Sequence, residues 1–264
     1  MKTFDNEDAI IDFFKSTSID ELVLIGDINI CKNIANSILD DDLWADWKSS
    51  FGKNETPPDF YNDKNGIMMD VMRVDDHETK QKNKIINLTH QKEGKAIKKI
   101  LNELGANINE DTMIIPNVCT DLPTFDDHNY LKYLSCFKRV INKHKDSIPL
   151  YKKNHPNYKT IFFIFDESSG YIESALKNIN FEPQINQSVL GKIHLYCLDR
   201  KFIKIIKDSE TDYIIWFAPY KQYILPDKKC MPFPKGVIID VNSINIDDKE
   251  FVDYNSTLMV SSEV

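Results

Sequence analysis

The sequence predicts an α/β or α+β protein built on a mixed β-sheet flanked by helices, and three observations carry that expectation. Thr160-Ile161-Phe162-Phe163-Ile164-Phe165 is continuously apolar and bounded by polar residues, the pattern of a strand buried on both faces at the centre of a sheet. Tyr130, Leu134, Phe137 and Ile141 recur at helical spacing, with Lys132, Arg139 and Lys143 on the opposite side. Helical and strand patterns alternate without a regular βαβ rhythm, which favours a mixed sheet. A length of 264 residues allows one substantial core, so a single globular domain over 1–264 is expected, and 15 Phe with 11 Tyr make that core aromatic.

The elements follow in order. Ile10, Ile11, Phe13 and Phe14, after a cap at Asp5, read as a short helix, and Glu21–Ile25 as a strand closed by Gly26. Residues 29–49 look helical, and Pro57 and Pro58 stop that helix. Segments 58–62 and 67–74 flank Asn62-Asp63-Lys64-Asn65-Gly66, whose composition suits a hairpin turn and pairs the strands carrying Asp59 and Asp70. A long helix is expected over about 76–104, ended by Gly105, followed by a short strand at Met113–Ile115 and the helix of 127–146. The C-terminal third adds apolar runs at 193–198, 213–218 and 236–241, with Pro219, Pro226, Pro232 and Pro234 punctuating the loops between them.

Charge and composition narrow the function. A net charge of -8 argues against wholesale coating of DNA or an anionic membrane, while leaving room for a local basic face. The five cysteines are widely spaced with no CxxC pair, which disfavours a zinc ribbon or a disulfide framework. The opening MKTFDNEDAIIDFF places acids where a signal peptide carries a basic region, and no run approaches the roughly 18 apolar residues that span a bilayer. The expectation is a cytoplasmic protein with no membrane partner. Walker A, Rossmann glycine, HExxH and GxSxG patterns are all missing from the sequence.

Residues 57–73, PPDFYNDKNGIMMDVMR, hold the one pattern that reads as an active site. Acids on two strands of a hairpin can point to the same side and share a hard cation such as Mg²⁺, which takes one or two carboxylates plus water and substrate phosphate. An acid within Ile67-Met68-Met69-Asp70-Val71-Met72 also needs a partner, a metal or water, because an unpaired charge there is costly to bury. The alternative is that Asp59 begins a strand and Asp70 is a hydrogen-bonded acid at a strand's solvent face.

Pro58-Asp59 and Asp70-Val71-Met72 resemble the signature of the PD-(D/E)XK nuclease-like superfamily, a Pro-Asp on one strand and an Asp/Glu-x-Lys on the next. The order helix, hairpin, helix and apolar strand 160–165 is similar to that superfamily's core of a mixed sheet with flanking helices, over about residues 30–166, with 167–264 as a C-terminal extension. The resemblance implies a metal-dependent nuclease, a hydrolase of phosphodiesters using Mg²⁺ held by Asp59 and Asp70. The signature's lysine is Met72 here, and Arg73 faces away on a regular strand. A basic residue from elsewhere, with Lys80, Lys82 and Lys84 as candidates, would restore activity. Without one, the resemblance implies a catalytically impaired pseudoenzyme that binds nucleic acid or a protein partner. Asp42 and Asp46 are candidates for a third metal-binding acid.

Other groupings have simpler readings. Asp75-Asp76-His77-Glu78 and Asp126-Asp127-His128 suit helix starts better than metal ligation. Asp166–Tyr171 ends the central strand, where α/β proteins often place ligand loops, although an ordinary turn explains it. The basic stretch 132–159, with Lys132, Arg139 and Lys143 as nucleic-acid contacts and Tyr151 and Tyr158 available for stacking, is either a phosphate-tracking face or a solvated helix. His90, His144, His155 and His194 lack paired spacing and read as surface or core residues. The competing function is a non-catalytic protein-interaction or nucleic-acid-binding protein that uses its aromatic C-terminal third. Tyr213–Phe217 within that third reads as core rather than interface.

Overall fold

Strand β7 (Lys159–Asp166) is the middle of a seven-stranded sheet because both of its faces are apolar, and Ile161 to Phe165 have no solvent exposure. In the computed structural model, which describes residues 6–50, 58–76, 78–81, 84–87, 128–175, 191–221, 223–224, 230–231 and 233–262, the chain is α/β with a mixed sheet flanked by helices.

The chain opens with helix α1 (Glu7–Lys15), strand β1 (Leu22–Ile25), helices α2 (Ile28–Leu39) and α3 (Asp41–Trp44), and strand β2 (Lys48–Ser49). The α1 cap is Asn6, whose side chain accepts from Ala9 N at 2.9 Å. The expected helix over 29–49 is broken because Asp40 caps a new turn, accepting from Asp42 N and Leu43 N. Gly26 turns β1 into α2 at φ +92°, and a Cβ there would sit 2.9 Å from the Asp240 carbonyl. Gly26→Ala should therefore cost roughly 1–3 kcal/mol, read as a lowered urea midpoint with an unchanged slope.

Next come β3 (Phe60–Asn62) and β4 (Ile67–Val74), the expected hairpin, with Asn62 Oδ1 accepting from Asn65 N at 3.1 Å and Gly66 at φ +59° in the turn. The helix predicted from 76 does not start there. Strand β5 (Glu78–Gln81) instead pairs antiparallel with β6 (Lys84–Asn87). Thr79, Ile85 and Ile86 bring β-branched residues into pairing, which overrides the capping pattern read from Asp75 to Glu78. The rest of that segment, Met113–Ile115, His90 and Lys82 lie outside the described residues.

Helices α4 (Tyr130–Lys145) and α5 (Ile148–Asn154) precede β7. Strands β8 (Tyr171–Ser174) and β9 (Gly191–Ile193), helix α6 (Arg200–Lys207), strands β10 (Tyr213–Phe217), β11 (Tyr223–Ile224), β12 (Cys230–Met231), β13 (Gly236–Asp240) and β14 (Met259–Ser261) complete the described chain.

The main sheet runs β1-β13-β10-β7-β4-β3-β2. β4 and β10 are both parallel to β7, whereas β2, β3 and β4 form an antiparallel meander. The C-terminal strands β10 and β13 are inserted between β7 and β1. Their aromatic residues Trp216 and Phe217 are fully buried, so the run 213–217 is core rather than an exposed interface.

Alternation divides the sheet's side chains between two layers. Met69, Val71, Phe163, Phe165 and Phe217 pack with Phe14, Ile34 and Ile38 of α1 and α2. Met68, Met72, Phe162, Ile164 and Trp216 pack with Phe137, Ile141 and Phe202 of α4 and α6. Asp70 belongs by parity to this second face, beneath α4. Among the described residues no helix is long and apolar enough to cross a membrane.

Candidate active site

The hairpin fixes the first two members of the site. Phe60 pairs with Met69 and Tyr61 with Met68, and one further step of this antiparallel register sets Asp59 opposite Asp70. β3 begins at Phe60, so its pairing with β4 does not reach Val71, whose N donates instead to Asp59 Oδ2 at 2.7 Å. Proline at 58 helps end the pairing, since it carries no amide hydrogen.

Asp70 is buried within the apolar α4 layer and obtains the partners its position demands. Its Oδ2 is contacted by His144 Nδ1 and accepts from Tyr151 OH at 2.6 Å. Val71 N thus engages Asp59 Oδ2, His144 Nδ1 and Tyr151 OH engage Asp70 Oδ2, and the two carboxyl groups also hydrogen-bond to each other.

The electrostatics are unfavourable for two anions. Burial, followed by the facing charge of Asp70, pushes the Asp59 carboxyl up to about 7, against the opposing Val71 hydrogen bond. Glu7, in the first turn of α1, adds negative charge from the other side of the sheet. Burial and Asp70 also raise the Tyr151 phenol, so it stays protonated and serves as a donor.

Two clustered carboxylates with this mutual repulsion are a donor set suited to a hard divalent cation, which would offset the charge that raises Asp59. Among the described residues no group of three or more His, Cys, Asp or Glu side chains is arranged to hold a metal ion. The candidate third acids lie elsewhere. Asp46 is ion-paired with Lys64 at 2.8 Å, and Asp42 is exposed in α3.

The basic residues are also sorted by the fold. Met72 is buried, and Arg73 faces the opposite layer, paired with Glu167 at 2.6 Å and lying over the Phe165 ring. The side chains of Lys80, Lys82 and Lys84 fall outside the described residues. Lys143 is exposed and adjoins His144, with Arg139 exposed one turn earlier and its guanidinium 3.6 Å from Cys136 Sγ. Lys132 is half-buried at the far end of α4, about 17 Å along the axis from Lys143 at 1.5 Å per residue.

His144 and Tyr151 are the members that spacing alone left out. The signal was there, since His144 extends the stripe Tyr130, Leu134, Phe137, Ile141 by the next helical step and so lies on the buried face.

A second polar cluster lies at the other end of α4 and is closed to solvent. Asp166 accepts from Tyr133 OH at 2.5 Å, Trp216 Nε1 at 2.8 Å and Ser168 Oγ at 2.5 Å. Lys221 Nζ lies 3.5 Å from Asp166, donates to Ser168 Oγ at 2.6 Å and sits over the Tyr133 ring. Asp76 is not a helix cap. It is fully buried and accepts from Ser169 Oγ at 2.6 Å and Tyr171 OH at 2.5 Å, with His128 Nδ1 at 3.5 Å. On α4 the cap is Asn129, not Asp126 or Asp127. The 166–171 loop is thus a packed knot in which Ser168 and Ser169 are inaccessible to a substrate.

No family model, curated protein or solved structure matches the chain.

Proposed function

We propose that the protein is a nuclease-like hydrolase that cuts phosphodiester bonds with Mg²⁺ held by Asp59 and Asp70. The observation that carries this reading is the pairing of two half-buried to buried carboxylates across the β3–β4 hairpin, at an evident electrostatic cost to Asp59. Charge placed against like charge is what a cation site requires before its ion arrives, and a fold optimised only for stability would discard it.

The sequence resemblance to PD-(D/E)XK nucleases is supported by the surrounding topology. The helices α2 and α3 lead into the β2-β3-β4 meander, followed by α4 and by β7 parallel to β4, with Pro58-Asp59 and Asp70 on adjacent strands. A Mg²⁺ ion there would stabilise charge on the non-bridging oxygens of the scissile phosphate. The protein's own part is to hold Asp70 rigid through His144 and Tyr151 and Asp59 through Val71, and to offer Lys143 and Arg139 to the flanking phosphates.

Labelled single-stranded and duplex DNA and RNA, incubated with Mg²⁺ or Mn²⁺, test the proposal. Cleavage by the wild type should fall by at least about 100-fold in folded Asp59→Ala and Asp70→Ala variants. Failure of the wild type to cut any of these substrates, or undiminished cutting by both variants, would remove the assignment.

A further inference from the structure

The signature position for a basic residue, Met72, is 3% exposed and packs in the α4 layer, so β4 itself offers no proton-handling group beside Asp70. What faces Asp70 instead is an imidazole carried on the last turn of α4. We propose that His144 is the catalytic base, taking over at this site the task that a strand lysine cannot perform, with Tyr151 as a positioning residue. This inference rests on the nuclease reading and adds to it.

With Asp70 ionised, its Oδ2 accepts the hydrogen on the contacting Nδ1, and Nε2 is the nitrogen left for proton transfer. Tyr151 OH donates to the same oxygen at 2.6 Å and braces the acid from the α5 side. An acid that orients a histidine through one nitrogen while the other faces the reactants is a recurrent arrangement for proton transfer.

The molecule contains its own contrast. His194 is held comparably by Asp199, at 2.8 Å, but its side chain is only 1% exposed and is ringed by Tyr130, Tyr171, Phe202 and Tyr254. The His144 side chain is 18% exposed and the Asp70 side chain it contacts 5%, so the histidine is the more solvent-accessible of the pair. Of these two acid-held histidines, His144 is the one with solvent exposure.

The water oxygen forms a bond to phosphorus while one of its protons passes to His144 Nε2. The bond from phosphorus to the leaving oxygen breaks, and that oxygen takes a proton from solvent. The imidazolium, stabilised by Asp70, returns its proton to water. The products are a phosphomonoester end and a hydroxyl end.

Two variants separate this role from a structural one. His144→Asn keeps an N–H directed at Asp70 but has no counterpart of Nε2, and His144→Ala opens a space that free imidazole can enter. Both should remain folded and bind Mn²⁺, followed by calorimetry without substrate, within about threefold of wild type. Both should lose roughly 100-fold to 10,000-fold in kcat, and added imidazole should restore at least about tenfold to His144→Ala alone. Wild-type rates in either variant, a loss that imidazole does not restore, or loss of Mn²⁺ binding, which would make His144 a ligand, overturn the inference while leaving the nuclease reading intact. An inactive wild type would instead take down both.

Discussion

Asp59→Asn should be more stable than the wild type at pH 8 in the presence of a chelator, by roughly 2–3 kcal/mol, and the advantage should vanish near pH 4. The folded protein holds this carboxyl at about 7 against an ordinary value of 3.8. Between those values the unfolded chain has released the proton that the folded chain retains, so stability falls as pH rises through the window. The gap is equivalent to about 4 kcal/mol at about 1.4 kcal/mol per decade, reduced by the partial exposure of Asp59. Asparagine keeps an oxygen for Val71 N and removes the charge facing Asp70. Urea unfolding at the two pH values reads the effect. Equal stabilities at pH 8 would mean that the two acids do not oppose each other in the folded protein. Mg²⁺ should narrow the difference by stabilising the wild type more than the variant.

The largest loss of stability is expected at the other end of α4. Asp166→Ala leaves Lys221 without its buried anion and removes the acceptor of Tyr133, Trp216 and Ser168. Breaking one side of such a pair costs about 3–5 kcal/mol, a large part of the stability of an ordinary domain. The double variant Asp166→Leu with Lys221→Met should be more stable than Asp166→Ala, because it buries no unmatched charge. Chemical denaturation of the three proteins decides this. A loss below about 1 kcal/mol in Asp166→Ala would show that water, rather than Asp166, satisfies Lys221.

Strong local patterns made the central strand and the hairpin of the candidate site legible in the sequence. The apolar run 160–165 identified the central strand, and the turn residues Asn62 to Gly66 fixed the hairpin that pairs the strands of Asp59 and Asp70. The rest required tertiary information. Asp75 to Glu78 has the composition of a helix start, but β5 pairs with β6 and Asp76 is drawn into Ser169 and Tyr171, ninety residues or more away. His144 looked like a lone histidine because its partner, Asp70, is 74 residues distant in sequence and meets it only when α4 packs on β4. Likewise, nothing local indicated that β10 and β13 insert between β7 and β1, since strand order depends on which apolar surfaces meet rather than on any single run.

Calorimetric titration of Mn²⁺ into the wild type, Asp59→Asn and Asp70→Asn at pH 7.5 tests most directly whether the paired carboxylates form a metal centre. Saturable binding to the wild type is expected, weakened at least about tenfold in each variant, with all three proteins folded. Absence of binding to the wild type, or equal binding by all three, would contradict it.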